Sequence, residues 1–235
     1  MIYKTIIAIL ITINIIPVFS QNLQVDYGID YQNYEMTNLK ELTNSIYRTI
    51  PFDAKITSNF PPYLRHHISG LYSLSNNLGL GFSFTYQTSG SRISRADYSG
   101  SYNYDMIING YSPGIKGQLK VSDFRYVSLY FYSSIGLIFS NLKLVENFNI
   151  LEYEPQISEE DFVSTNLFFE PGLRFEHLIS NFCISLNSGY NFGIYNGDLK
   201  YRKDKRYILI NQQEESLNAN WSGLYIGLAI GIILH

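Results

Sequence analysis

One cysteine, one tryptophan and little charge set the first limits on this chain of 235 residues. The lone Cys183 excludes an intramolecular disulfide framework and a cysteine-based zinc site. Lys and Arg number 17 against 20 Asp and Glu, and a net charge of −3 leaves no electrostatic footprint for nucleic acid. Charged residues make up 16% of the chain, well under the roughly 25% of an average soluble domain. Long apolar runs are missing too. The longest beyond the N-terminal segment, Leu224 to Leu234, falls short of the roughly 20 residues a membrane helix needs. A mean hydropathy of −0.06 likewise excludes a polytopic helical membrane protein. What the chain has in quantity is aromatic, with 21 Tyr and 15 Phe, and at 46% hydrophobic it is too apolar for general disorder.

The first twenty residues read as a secretory signal. Lys4 supplies the positive start, Ile6 to Ile16 the apolar run, and Val18-Phe19-Ser20 a cleavage site. Cleavage after Ser20 leaves Gln21 as the mature N-terminus, with no following cysteine to carry a lipid. The expected organisation is a signal peptide over 1–20 and a single domain over 21–235.

That domain alternates with period two, the strand signature. Leu23, Val25, Tyr27, Ile29 and Tyr31 share one face, opposite Gln24, Asp26, Gly28 and Asp30. The cleanest case sets Leu78, Leu80, Phe82, Phe84 and Tyr86 against Gly79, Gly81, Ser83, Thr85 and Gln87. Eight such segments occur. The others lie near 67–75, 111–121, 126–142, 166–176, 182–192 and 223–234. Asn76-Asn77, Ser122 to Arg125 and Ile179 to Asn181 make three tight connections, while four long ones span about 32–66, 88–110, 143–165 and 195–218. Short turns at one end and long loops at the other belong to a membrane barrel, the one β architecture that satisfies every backbone group in lipid. A soluble barrel needs a charged outer face. Here the polar faces carry Gly, Ser, Thr and Asn and the apolar faces are bulky, which suits a narrow lumen and a lipid exterior. Tyr27, Tyr31, Tyr86, Tyr111, Tyr190 and Tyr225 lie near segment ends, where interfacial girdles form. The expected fold is all-β, an up-and-down antiparallel eight-stranded transmembrane β-barrel.

With these eight segments and their connections, the chain resembles the small outer-membrane β-barrel family, which includes the outer-membrane protein A and protein X barrels and the PorT-like barrel domains. The resemblance implies insertion by the barrel-assembly machinery into the outer membrane of a Gram-negative bacterium. One departure is the terminus, Ile233-Leu234-His235, where family members often end on an aromatic residue. PorT-like barrels add a secretion or motility assembly as a possible protein partner.

Inward-pointing polar faces bring Asp26, Asp30, Lys116, Lys120, Glu170, Arg174 and Glu176 into one lumen, where charges must be paired or hydrated. A structural plug is favoured over a selective pore or proton path, since eight strands leave little more than room for side chains. His67 and Ser69 share a strand face near the expected outer rim, a candidate base and nucleophile. The pair is similar to the His-x-Ser of lipid A deacylases, but Gly70 stands where that motif has Asn. The functional expectation is therefore a non-enzymatic barrel with a structural or surface-recognition role, the alternatives being a narrow passive pore, a component of a secretion or motility assembly and, last, a lipid A-modifying hydrolase.

The loops concentrate the charge. Glu146, Glu152, Glu154, Glu159, Glu160 and Asp161 occur without an intervening base, whereas Lys200, Arg202, Lys203, Lys205 and Arg206 cluster about Asp198 and Asp204. Three expectations stand for this contrast: a clasp between the two loops over the barrel mouth, a divalent cation on the acidic loop with lipopolysaccharide phosphates on the basic one, or two solvated loops. The first loop, with Ile46, Tyr47, Ile50, Phe52, Ile56 and Phe60, is too apolar to stay in water and packs onto a neighbour or partner. Tyr98, Tyr102 and Tyr104 give the second loop a composition suited to recognition. Expected partners are outer-membrane lipid and lipopolysaccharide, the assembly machinery and a surface or secretion-complex protein. No cofactor and no metal is expected.

Overall fold

A computed structural model describes residues 23–98, 100–150 and 154–234, so the signal-peptide reading lies outside the described residues. The alternating segments become strands β1 (Leu23–Gln32), β3 (Tyr63–Ser73), β4 (Leu78–Asp97), β5 (Gly100–Asp123), β6 (Ser128–Ile150), β7 (Gln156–Ile179), β8 (Phe182–Tyr195) and β10 (Gly223–Leu234). Helix α1 (Thr37–Thr49) and strand β2 (Lys55–Asn59) lie within the first long connection, and β9 (Lys200–Tyr201) lies within the last. Each strand of the eight pairs antiparallel with its neighbour, and β1 closes the ring on β10 from Leu23↔Leu234 to Gln32↔Tyr225. The fold is an up-and-down eight-stranded transmembrane β-barrel.

Solvent exposure is inverted relative to a soluble domain. Phe82 is 75% exposed and Ile230 is 64% exposed, whereas Asp26 and Arg174 are each 1% exposed. Leucine, isoleucine and phenylalanine cover the outer wall, and buried polar residues fill the inside. Only a hydrocarbon surround makes that arrangement favourable, because in water the outer wall would leave an apolar surface of many side chains exposed.

The barrel is much taller on one side. A tilted strand crosses a bilayer in roughly 9–11 residues. β1, β3 and β10 have 10, 11 and 12, but β4, β5, β6 and β7 have 20, 24, 23 and 24. The segments expected as loops at 88–110 and 143–165 therefore continue largely as paired ribbon, Thr88↔Asn109 through Asp97↔Gly100 and Lys143↔Asp161 through Phe148↔Gln156. Their alternation persists above the membrane with a weaker polarity contrast, so composition alone read as loop. β2 extends this ribbon along β4, and β9 extends it along β7.

The first connection is ordered. α1 stops at Thr49 because Ile50, next to Pro51, is extended. Leu39 and Thr43 are its buried residues, and the Thr43 hydroxyl bonds to Ser91 on β4 at 2.8 Å. Across the top of the barrel runs a core of Tyr34, Met36, Leu39, Phe60, Met106 and Trp221, among others. Trp221 donates Nε1–H to the Ser140 hydroxyl at 2.9 Å and packs edge-on against Tyr34. An apolar plug thus sits above a polar lumen.

Candidate functional site

Three places hold the residues that carry chemistry: the lumen, a hollow in the tall ribbon, and the charged outer wall above the membrane.

The lumen contains two linked ion clusters. In the lower one, Arg174 donates from both terminal nitrogens to the Asp26 carboxylate, at 2.7 and 2.9 Å, and lies 2.6 Å from Glu176. Gln24 bridges this cluster, donating to Asp26 at 3.0 Å and to Glu176 at 2.8 Å. In the upper one, Arg65 donates Nε–H to Asp30 at 2.7 Å and both terminal nitrogens to Glu170, at 2.7 and 3.1 Å. Arg65 also lies 3.8 Å over the Tyr225 ring. Lys116 stands between the clusters with its ammonium 4.7 Å from the Tyr132 ring centre. The Tyr132 and Tyr225 hydroxyls share a hydrogen bond of 2.5 Å. A cavity of about 20 Å³ beside Lys116 and Glu170 remains, room for about one water. Such bidentate, mutually paired charges are what a buried ionic cluster needs to offset desolvation.

Six of the seven expected lumen residues are placed inside: Asp26, Asp30, Lys116, Glu170, Arg174 and Glu176 are all buried. Lys120 is not among them. It follows the inward Lys116 and Gln118 but reaches the membrane edge, where its ammonium pairs with Asp123 at 3.1 Å in the β5–β6 turn. Arg65, which joins two of the carboxylates, lies just before the second alternating segment, whose sequence pattern begins at His67. The alternation of Arg65, His67 and Ser69 against Leu64, His66 and Ile68 carried the signal. Tyr225 is corrected as well. It is 1% exposed and belongs to the lumen, where its ring lies over Gly189, whose added Cβ would come within 2.4 Å of the Tyr225 hydroxyl.

His67 and Ser69 do point the same way, but into the lumen rather than toward the outer rim. His67 Nδ1 lies 2.9 Å from Asp30, and Ser69 donates to Asp26 at 3.4 Å. Each is held by a different carboxylate, so a base–nucleophile contact is not formed.

The tall ribbon beside α1 leaves two adjoining hollows of about 230 and 690 Å³, which share Phe52, Tyr102 and Phe148. The Phe52 and Phe148 rings both meet Tyr102 edge-on, at 5.1 and 6.2 Å. Arg95 lies 5.4 Å over Phe52, and the Tyr102 hydroxyl donates to Glu146 at 3.1 Å. Burial, then the Glu146 and Glu160 carboxylates, push the Tyr104 phenol up to about 12. Burial and Glu146 push Tyr102 up too, so both phenols stay neutral donors. The arrangement offers aromatic faces beside paired polar groups, the composition of a recognition surface. The sequence pointed to Tyr102 and Tyr104 but not to Phe52 as their partner.

The charged segments meet at the outer wall. Glu159 pairs with Lys143 at 2.8 Å, which raises the lysine's pKa through that hydrogen bond. Asp161 lies 4.0 Å from Arg202, whose backbone N–H also donates to the Asp161 carbonyl. The acidic and basic segments are thus joined by the β7–β9 pairing rather than over the mouth. Asp204 is engaged by Arg206 at 2.6 Å, and Lys200, Lys203 and Lys205 make no ion pair among the described residues. Glu154 and Glu160 are exposed, and Glu152 lies outside the described residues. No cluster of three or more metal-ligating side chains occurs among the described residues.

No protein-family model and no curated protein sequence matches the chain. Among solved structures it is similar to the outer membrane protein OprG of Pseudomonas aeruginosa, at 9% identity and a TM-score of 0.47, covering 91% of this chain and 96% of that one. It is also similar to Ail, the attachment invasion locus protein of Yersinia pestis, at 13% identity, a TM-score of 0.39 and coverage of 91% and 97%. A third is Neisserial surface protein A, at 10% identity, a TM-score of 0.41 and coverage of 91% and 97%.

Proposed function

We propose that this chain is a non-enzymatic integral barrel of a Gram-negative outer membrane that recognises a partner at the cell surface through its ribbon. The observation that carries this reading is the continuation of β4 to β7 to twice the length a bilayer requires, with an aromatic hollow lined by Phe52, Tyr102 and Phe148. A barrel serving only as an anchor has no use for that height. The ion-paired lumen under an apolar plug favours a structural interior over a conducting one. The His67 and Ser69 geometry gives no support to lipid hydrolysis.

The test has two arms on the intact protein. In planar bilayers it gives stable closed baselines, and discrete conductance steps would overturn the structural lumen. Reconstituted in nanodiscs, it is screened against an arrayed panel of soluble oligosaccharides and peptides. Binding that is lost on Phe52→Ala with Phe148→Ala supports the recognition surface. Binding to nothing in the panel, or binding that survives both substitutions, counts against it.

A further inference from the structure

One depression on the outer wall spans the membrane boundary. It measures about 910 Å³, and its lower part is Leu137, Phe139, Leu167 and Tyr195 on the belt that faces hydrocarbon. Its upper part holds Lys200, Arg202 and Lys205 together with Asp198. The vertical offset follows from the pairing register. Tyr195 sits opposite Leu167, and Lys200 sits opposite Val163, four residues farther up β7. Four residues of strand span about 13 Å, and a tilt near 45° leaves roughly 9 Å along the membrane normal. The polar headgroup layer extends roughly 5–8 Å beyond the hydrocarbon core on each side, so this rise carries Lys200 from the hydrocarbon edge to the outer part of that layer. The ammonium groups therefore stand where lipid phosphates lie when acyl chains run along the belt below.

Charge elsewhere on the upper wall does not repeat this. On the β4–β5 side Arg92 is consumed by Asp105, at 2.5 and 2.8 Å. On the side of the seam Glu35 accepts from Tyr190 and Asn220, each at 2.8 Å. In the depression Arg202 shares Asp161 at 4.0 Å, while Lys200 and Lys205 make no ion pair among the described residues. Between apolar floor and basic roof lies Asn141, whose buried carbonyl oxygen has no hydrogen-bond partner and suits a headgroup hydroxyl.

From this register of apolar floor and unpaired cations, we propose that the β6–β7–β9 wall binds one phosphorylated lipid of the surrounding leaflet, acyl chains on Leu137, Phe139, Leu167 and Tyr195 and phosphate on Lys200 and Lys205. The site shares no lining residue with the recognition hollow and does not depend on it.

The protein in detergent micelles is titrated with dioleoyl phosphatidic acid, dioleoyl phosphatidylcholine or inorganic phosphate, and bound lipid is read by native mass spectrometry. The expected result is one phosphatidic acid per barrel, held in preference to phosphatidylcholine and not displaced by equimolar inorganic phosphate. Lys200→Gln with Lys205→Gln weakens phosphatidic acid by about thirty-fold, from the contribution of two basic groups near an anionic surface. Leu167→Ser weakens it too, with the heat-modifiable gel shift confirming an intact barrel. Equal binding of the two lipids, or an unchanged affinity in the double-lysine variant, would overturn the proposal. Displacement by equimolar phosphate would also overturn it, in favour of a simple anion site.

Discussion

Asp30 faces Gly227 across the β1–β10 seam, and a Cβ on that glycine would lie 2.1 Å from the Asp30 carboxylate oxygen and 2.4 Å from the Ile29 carbonyl. Gly231 bears the same relation to Asp26, at 2.0 Å. The buried carboxylates of the first strand thus occupy volume that the last strand leaves empty. Gly227→Ala is expected to cost about 1–3 kcal/mol, because one clash is with backbone that cannot rotate away. Gly117→Ala is the control, since its nearest neighbour would be Leu80 Cδ1 at 3.9 Å. Urea midpoints in micelles check the contrast, and equal effects at both sites would sink it.

The lumen cations differ in what their removal exposes. Arg65→Met leaves Asp30 and Glu170 buried without their main partner, a loss expected to be about 3–5 kcal/mol. Lys120→Met breaks only an exposed pair with Asp123 and should change stability far less. Adding Glu170→Gln to Arg65→Met recovers part of the loss, because one orphan charge becomes neutral. A double variant no more stable than Arg65→Met alone would show that the charge of Glu170 is not what the arginine compensates.

The single tryptophan reports on the plug. Trp221 is 1% exposed in the apolar core, so its emission should be blue-shifted and resist acrylamide quenching. Trp221→Ala removes the ring and its bond to Ser140, costing about 3–5 kcal/mol. Leu39→Ala on α1 should increase quenching of Trp221, since both belong to one core. Quenching as fast as free tryptophan in the native protein would contradict an ordered plug.

At the opposite end, the Asp123 carboxyl is held below the usual carboxylate range, first by the Ser128 hydroxyl and then by Lys120. A depressed folded-state pKa contributes stability above the unfolded value of about 3.9 and loses it as pH falls through the folded value. Wild type should therefore exceed Asp123→Asn at neutral pH, and the gap should close in acid as pH falls below the unfolded value and through the folded one. A gap independent of pH would assign the effect to packing instead.

Legibility in the sequence followed polarity contrast. Where lipid faces lumen, as in Leu78 to Gln87, alternation is stark and the strand could be read directly. Above the membrane both faces meet water or a modest core, so Thr88 to Asp97 looked like loop although it is paired strand. The lumen carboxylates were legible from strand parity, but their partner Arg65 lay just outside the assumed segment start. Tyr225 shows the limit of composition, because a tyrosine near a strand end suits a girdle until the register turns it inward. The helix at Thr37–Thr49 escaped because its burial comes from tertiary contact with the ribbon, and its own sequence offers no capping residue at Met36.

Orientation follows from the unequal strand lengths and can be checked by labelling. Tyr98 caps the β4–β5 hairpin and is 96% exposed, whereas Phe124 is 61% exposed in the short β5–β6 turn at the other end. Short turns belong to the periplasmic side. On intact cells a membrane-impermeant maleimide should label Tyr98→Cys and leave Phe124→Cys untouched, with both labelled after lysis. The native Cys183 adds no background, being 1% exposed between Gln24 and Arg174. Labelling of Phe124→Cys alone on intact cells would reverse the orientation, placing the ribbon and its aromatic hollow in the periplasm and removing the basis for cell-surface recognition.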